Sequence, residues 1–221
     1  MKSLSNYINE ARVIKLGPDG MYHPKNRIEL IDLIAQLMKK RGKNADLNDI
    51  DTSAITDMSE VFSASGFDGD ISGWDVSNVR DMSGMFMYSK FTGDISKWNV
   101  SNVKDMSNLF FSSQFNGDIS KWNVSNVEDM SYMFVASKFD GDISDWDVSK
   151  VTNMCSMFEE SKFNGDISKW KVSKVTDMRE MFADSKFNGY ISKWDISSVK
   201  DMEGMFDGCP LERNAPVWYQ R

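Results

Sequence analysis

Two columns of aspartate recur through this chain at a spacing of 24 residues: Asp70, Asp94, Asp118, Asp142, Asp166 and Asp81, Asp105, Asp129, Asp177, Asp201. Carboxylates so arrayed could ligate calcium, which takes six or more oxygens converging on one point. The competing reading is structural. The first series follows glycine in a turn, and the second precedes an apolar run, where a carboxylate accepts backbone N–H bonds. Tyr190 and Asn153 interrupt the two series, which suits turns better than a metal ladder. Serine recurs in the same register at Ser72, Ser96, Ser120 and at Ser77, Ser101, Ser125. A serine nucleophile needs a base, and the only histidine, His23, stands outside the repeated region. Hydrogen-bond ladders between copies are the simpler expectation for these hydroxyls. There is no glycine-rich phosphate loop, zinc-ligand spacing or convergent acid pair, so the sequence points to no enzyme and to no cofactor.

The aromatic residues keep the same spacing. All seven tryptophans form one column, from Trp74 and Trp98 to Trp194 and Trp218. An exposed ladder of this kind could bind a sugar or a peptide, and a methionine column (Met82, Met106, Met130) could line a groove. Burial is the plainer expectation for both, because large side chains on every turn provide the core that a thin repeat structure needs.

These columns belong to one unit, F-x-G-D-I-S-x-W-x-V-S-x-V-x-D-M-x-x-M-F-x-x-S-x, which restarts at Phe67, Phe91, Phe115, Phe139, Phe163 and Phe187. One copy cannot bury its own aromatic side chains, so the copies are expected to stack as coils of a solenoid. The I-S-x-W-x-V stretch predicts a short strand and D-M-x-x-M-F a short helix, making the fold class α/β. Before the repeats, Asn26 to Arg41 predicts a helix: Asn26 caps it, Glu29 follows three residues on, and Lys39, Lys40 and Arg41 precede Gly42. Four parts follow: a lead peptide (1–20), an N-terminal cap of helix plus degenerate first coil (21–66), six repeats (67–210) and a degenerate C-terminal cap (211–221). In the end coils Leu47 replaces Ile71, Ile50 replaces Trp74, Leu211 takes the Phe column and Trp218 the Trp column.

The blocks F-N-G-D-I-S-K-W, D-V-S-N-V and D-M-S-x-M-F, with the lead-in from Asp51 to Ser59, resemble the BspA-like leucine-rich-repeat surface proteins. That family includes a repeat first catalogued in Mycoplasma as a domain of unknown function, and the likeness covers roughly residues 21–218. The resemblance implies a non-enzymatic leucine-rich-repeat-like solenoid, in relatives often an adhesion protein of bacterial surfaces, that binds proteins.

The formal charge of −7 is uneven: residues 1–50 hold nine basic against six acidic side chains, leaving 17 against 27 beyond them. An acidic repeat body is poorly suited to nucleic acid or to anionic membrane. No apolar run reaches the length of a membrane span, so membrane insertion is not expected. The N-terminus lacks the apolar segment of a secretory signal, which points to the cytoplasm, with a virion or the cell surface as destinations of a specialised route. Cys155 and Cys209 lie two copies apart, about 10 Å at strand spacing, and are expected as free thiols.

Specificity is sought in columns that vary between copies. One runs Gly73, Lys97, Lys121, Asp145, Lys169, Lys193; a second runs Asp75, Asn99, Asn123, Asp147, Lys171, Asp195; a third includes Lys90, Gln114 and Lys138. Of these, Lys97, Lys121, Lys169, Lys193, Asn99, Asn123, Asp147, Lys171 and Asp195 are candidate contacts for a protein partner, against the reading that they are simply solvated. Separately, Met1 to Ala11 resembles the targeting peptides of T4-like phage internal head proteins. Ile8-Asn9-Glu10 matches their cleavage triplet, implying processing between Glu10 and Ala11 and a packaged or structural virion role. A calcium- or glycan-binding adhesin is a further alternative.

Overall fold

The structure, a computed structural model, describes residues 15–219. Glu10, Ala11 and the cleavage triplet lie outside the described residues.

Helix α1 spans Arg27–Arg41. Its start follows from two reciprocal caps: Asn26 Oδ1 accepts from the Glu29 amide at 3.1 Å, and Glu29 Oε2 accepts from the Lys25 amide at 2.9 Å. It ends at Gly42, whose φ of 89° suits glycine and whose N–H closes on the Met38 carbonyl. Leu30, Leu33, Ile34 and Leu37 are buried in the same core as the first coil, so the helix covers that end of the stack. Among the described residues, no helix is long and apolar enough to cross a membrane.

Beyond α1 the chain winds in coils held in a 24-residue register by parallel bridges running Asp57, Asp81, Asp105, Asp129, Asn153, Asp177 and Asp201. The strand and helix expected within each coil are not formed. Apart from α1, regular structure among the described residues is the 3-10 helix Pro210–Asn214, and the coils are made of tight turns. In the strand region the Trp74 amide closes on the Ile71 carbonyl at 3.1 Å and the Val79 amide on Val76 at 3.0 Å. In the helix region alternate amides leave the coil. Those of Met82, Gly84, Phe86 and Tyr88 donate to the carbonyls of Asp105, Ser107, Leu109 and Phe111 in the next coil, while those of Met85, Met87 and Ser89 fold back three residues. Bonds to a neighbouring coil and turns within the coil together satisfy the backbone that an α-helix would have paired internally.

This arrangement requires left-handed residues. Glu60, Asn108, Tyr132, Ser156 and Glu180 share one column with φ between 52° and 59°, and Ala64, Tyr88, Ser112, Ala136, Glu160 and Asp184 another, with φ between 50° and 56°. Few are glycine, so the strain, about 1 kcal/mol or more at each, is sustained by the hydrogen bonds on either side.

The core is a stack of rings. Phe86 lies 5.7 Å from Phe110 and 4.6 Å from Phe91, both stacked. Trp74 and Trp98 are 6.4 Å apart and within 2° of parallel. The Trp, Phe and Met columns are therefore packing, with Trp122 only 4% exposed and Met130 and Phe134 fully buried. The F-x-G element has a steric origin: a methyl group on Gly117 would sit 2.8 Å from Phe115 Cζ. A column absent from the sequence reading completes the core, the buried serines Ser65, Ser89, Ser113 and Ser137, whose hydroxyls accept from the amides of Phe67, Phe91, Phe115 and Phe139. The first coil keeps the pattern, Trp74 Nε1 donating to Leu47 O as Trp98 Nε1 does to Ile71 O. At the other end Trp218 packs on Phe206 at 6.2 Å, but its buried Nε1 reaches no acceptor among the described residues.

Candidate functional site

The aspartate columns are occupied by turns. Asp118 Oδ1 accepts from the Ser120 amide and Asp105 Oδ1 from the Ser107 amide, at 2.9 and 2.8 Å. These bonds hold Asp70, Asp94, Asp118, Asp142 and Asp166 below the usual carboxylate range, the bonds from the serine two residues on being the main cause. Among the described residues, no group of three or more His, Cys, Asp or Glu side chains is placed to hold a metal ion. The expected serine ladder takes a different form, since Ser72 and Ser96 bond within their own turn. Asn102 Nδ2 and Asn126 Nδ2 make the coil-to-coil bonds here, to the Ser77 and Ser101 carbonyls at 2.7 Å.

Lys97, Lys121, Lys169 and Lys193 form one exposed row. Across the buried Trp, an exposed second row holds Asn99, Asn123, Asp147, Lys171 and Asp195. That second row is partly structural. The side-chain oxygens of Asn99, Asn123, Asp147 and Asp195 accept from the amides of Ser101, Ser125, Ser149 and Ser197 at 3.1–3.2 Å. Lys171 stands where those residues cap the turn. Cys155 and Cys209 are free and buried. His23 has both ring nitrogens against carboxylates, Nδ1 to Asp51 at 3.0 Å and Nε2 to Asp19 at 2.8 Å. An open cleft of about 290 Å³ at the start of α1, lined by Lys25, Asn26, Arg27, Ile28, Ala54, Thr56 and Asp57, holds no nucleophile paired with a base.

A different face carries most of the variation. The four x positions of D-M-x-x-M-F-x-x-S include the exposed Tyr88, Tyr132, Glu160, Glu180 and Asp184 beside the buried Met87, Val135, Cys155, Ser156 and Ala183, and most of them change in residue type from coil to coil. Going down the stack they read Ser83, Gly84, Met87, Tyr88; Ser107, Asn108, Phe111, Ser112; Ser131, Tyr132, Val135, Ala136; Cys155, Ser156, Glu159, Glu160; Arg179, Glu180, Ala183, Asp184. The upper coils carry no charged residue at these positions. Tyr88 is 45% and Tyr132 37% exposed, and the Tyr88 ring meets Phe111 edge-on at 5.2 Å. The Cys155 thiol donates to the Tyr132 hydroxyl at 3.5 Å, and this bond, with burial, pushes that hydroxyl up to about 12.

The lower coils are acidic. Burial raises the Glu159 carboxyl above its ordinary value, opposed by a hydrogen bond from Ser156, and Glu180, Glu160 and Asp184 raise it further. Arg179 does not neutralise them, because it pairs with Asp177 at 2.6 Å and lies 3.6 Å from Asp201. The sequence held a signal for this face: the columns that begin at Gly84, Met87 and Tyr88 vary more in residue type among the copies than the rows that begin at Gly73 and Asp75. The helical expectation hid it, since two adjacent positions of a helix diverge in direction.

A protein-family model described as Mycoplasma protein of unknown function, DUF285, matches residues 32–138 and again 112–218. Two overlapping matches are what a periodic chain produces, the model fitting in either half. No curated protein and no solved structure matches the chain.

Proposed function

The chain belongs to that Mycoplasma protein family of unknown function, DUF285, and on that footing we propose that it is a non-enzymatic scaffold for protein recognition. In this reading it is a leucine-rich-repeat-like solenoid akin to the BspA-like proteins. Its inner columns only build the stack, and its variable face meets the partner.

One observation carries the proposal. Inward positions keep Trp, Phe and Met from coil to coil, whereas residue type varies strongly in the two columns that expose Tyr88 and Tyr132. Surface tyrosines suit protein contacts, since they bring large area with few rotamers to freeze. The net charge of −7 favours a protein partner over nucleic acid. A non-enzymatic role is supported by the thiols, both buried, and by His23, engaged by two carboxylates.

The test is capture of binders on immobilised protein from extracts of its source, quantified by mass spectrometry for three forms. These are the parent, a face variant (Tyr88→Ser, Tyr132→Ser) and a lysine-row variant (Lys97→Glu, Lys121→Glu, Lys169→Glu, Lys193→Glu). A protein captured by the parent and lost only from the face variant supports the proposal. Loss only from the lysine row would move the contact to that row, and no enrichment over blank resin by the parent would overturn the recognition role.

A further inference from the structure

Resting on the recognition reading above, we propose that the variable face takes a cationic peptide segment of a partner protein, its apolar side chains on Tyr88 and Tyr132 and its lysines or arginines against Glu159, Glu160, Glu180 and Asp184.

The apolar half of the face is open and anchored. Tyr88 is held by the edge of Phe111, and Tyr132 by the Cys155 thiol, so both rings are oriented before any ligand arrives. The backbone beneath is equally fixed. The Ala136 amide bonds the Glu159 carbonyl at 2.9 Å and the Glu160 amide bonds the Ala183 carbonyl at 2.8 Å, carrying the ladder from the apolar coils into the acidic ones. A surface already in its binding geometry spends little affinity on ordering itself.

The acidic half sets the sign of the ligand. Among the described residues, none of these four carboxylates pairs with a lysine or arginine, and the guanidinium in their midst is turned to Asp177 and Asp201. Glu159 is half-buried, with like charges around it. A cation placed there would relieve a repulsion that the fold itself leaves standing, and an anionic segment would increase it. From the Tyr88 coil to the Asp184 coil is four steps, about 19 Å at the spacing of paired strands. That is the reach of about six residues of extended chain, so one short segment can touch both halves.

The probes are four fluorescein-labelled synthetic peptides of twelve residues, read by fluorescence anisotropy against the full chain. The first joins a leucine and tyrosine block to a lysine and arginine block. The second replaces every basic residue with glutamate, the third replaces every apolar residue with serine, and the fourth shuffles the first. The first peptide should bind best, and the glutamate peptide should not bind. Affinity for the first should fall about tenfold, as several exposed ion pairs together allow, in a variant carrying Glu159→Gln, Glu160→Gln, Glu180→Gln and Asp184→Asn. It should fall again in the Tyr88→Ser, Tyr132→Ser variant.

The altered side chains are exposed apart from the half-buried Glu159, and circular dichroism melts of each variant establish that it is folded. Equal binding of the glutamate peptide, indifference to the carboxylate substitutions, or no binding of the first peptide overturns the inference. If the inference alone is wrong, the partner captured by the parent is still lost from the tyrosine variant but retained by the neutralised one. If the recognition reading is wrong, the parent captures nothing.

Discussion

The indole Nε1 of Trp122 donates to the carbonyl of Ile95 at 3.1 Å, and the residues are 27 apart in sequence because they sit in neighbouring coils. The same bond recurs from Trp98 to Ile71 and from Trp146 to Ile119, so each of these tryptophans fills its own coil and ties it to the one before.

Trp122→Ala should cost about 3–5 kcal/mol, and urea unfolding should separate into two transitions, since the coils on either side no longer share a continuous core. Trp122→Phe keeps most of the packing and loses the indole hydrogen bond, at about 0.5–1.5 kcal/mol, because the Ile95 carbonyl still accepts from the Trp98 amide. A Trp122→Ala protein that melted like the parent would mean that the column is not core.

The left-handed columns predict an inverted response to glycine. Ala64 is exposed with φ of 51°, so Ala64→Gly should raise stability by up to about 1 kcal/mol. Gly208 stands in the same column with φ of 70°, and a methyl group there would meet Asp184 Oδ1 at 2.2 Å, so Gly208→Ala should destabilise. Chemical denaturation of the two variants beside the parent checks both signs.

His23 links the turn before α1 to the first coil through Asp19 and Asp51. The hydrogen bond with Asp51 is the main cause raising its pKa above the ordinary 6.5. A raised histidine stabilises the fold fully below that ordinary value, and the contribution is lost as pH rises through the higher folded value. Asp19 and Asp51 are held below 3.8, so their share is lost only as pH falls through their lowered values. The melting temperature of His23→Ala should therefore fall furthest below the parent between about pH 5 and 6 and converge on it toward pH 8.5. A constant gap across that range would count against the clamp.

Glu159 titrates in the opposite sense. Its folded pKa is raised above 4.5, chiefly by burial, so its ionised form is disfavoured by folding. The disadvantage is complete above the folded value and disappears as pH falls through 4.5, where both states are protonated. Glu159→Gln should melt higher than the parent at pH 7.5, with the gain shrinking toward pH 4.

The expected helix and strand were the sequence reading's main departure from the structure, and Met82 to Ser89 shows why. Asp81 ahead of Met82, Met85 and Phe86 has the spacing of a capped helical turn, and nothing in a single copy argues otherwise. What prevails is the neighbouring coil, which offers carbonyls to alternate amides and places Gly84 and Tyr88 at positive φ. Tyrosine has no local preference for that conformation, so only Gly84, Asn108, Gly204 and Gly208 in the two columns hint at it in the sequence. The same expectation kept Tyr132 and Glu159 from being seen on one face, and of the candidate contacts Asn99 and Asp195 also cap turns.

By itself the sequence determined the period, the buried columns and the capped helix Arg27–Arg41, because repeated apolar residues must be buried and Asn26 with Glu29 is a local start signal. Only the tertiary structure decided the path of the backbone within each coil and which variable positions share a face. Both depend on hydrogen bonds between residues 23 to 27 apart, such as Met106 to Asp129 and Trp122 to Ile95, which form only once the coils are stacked.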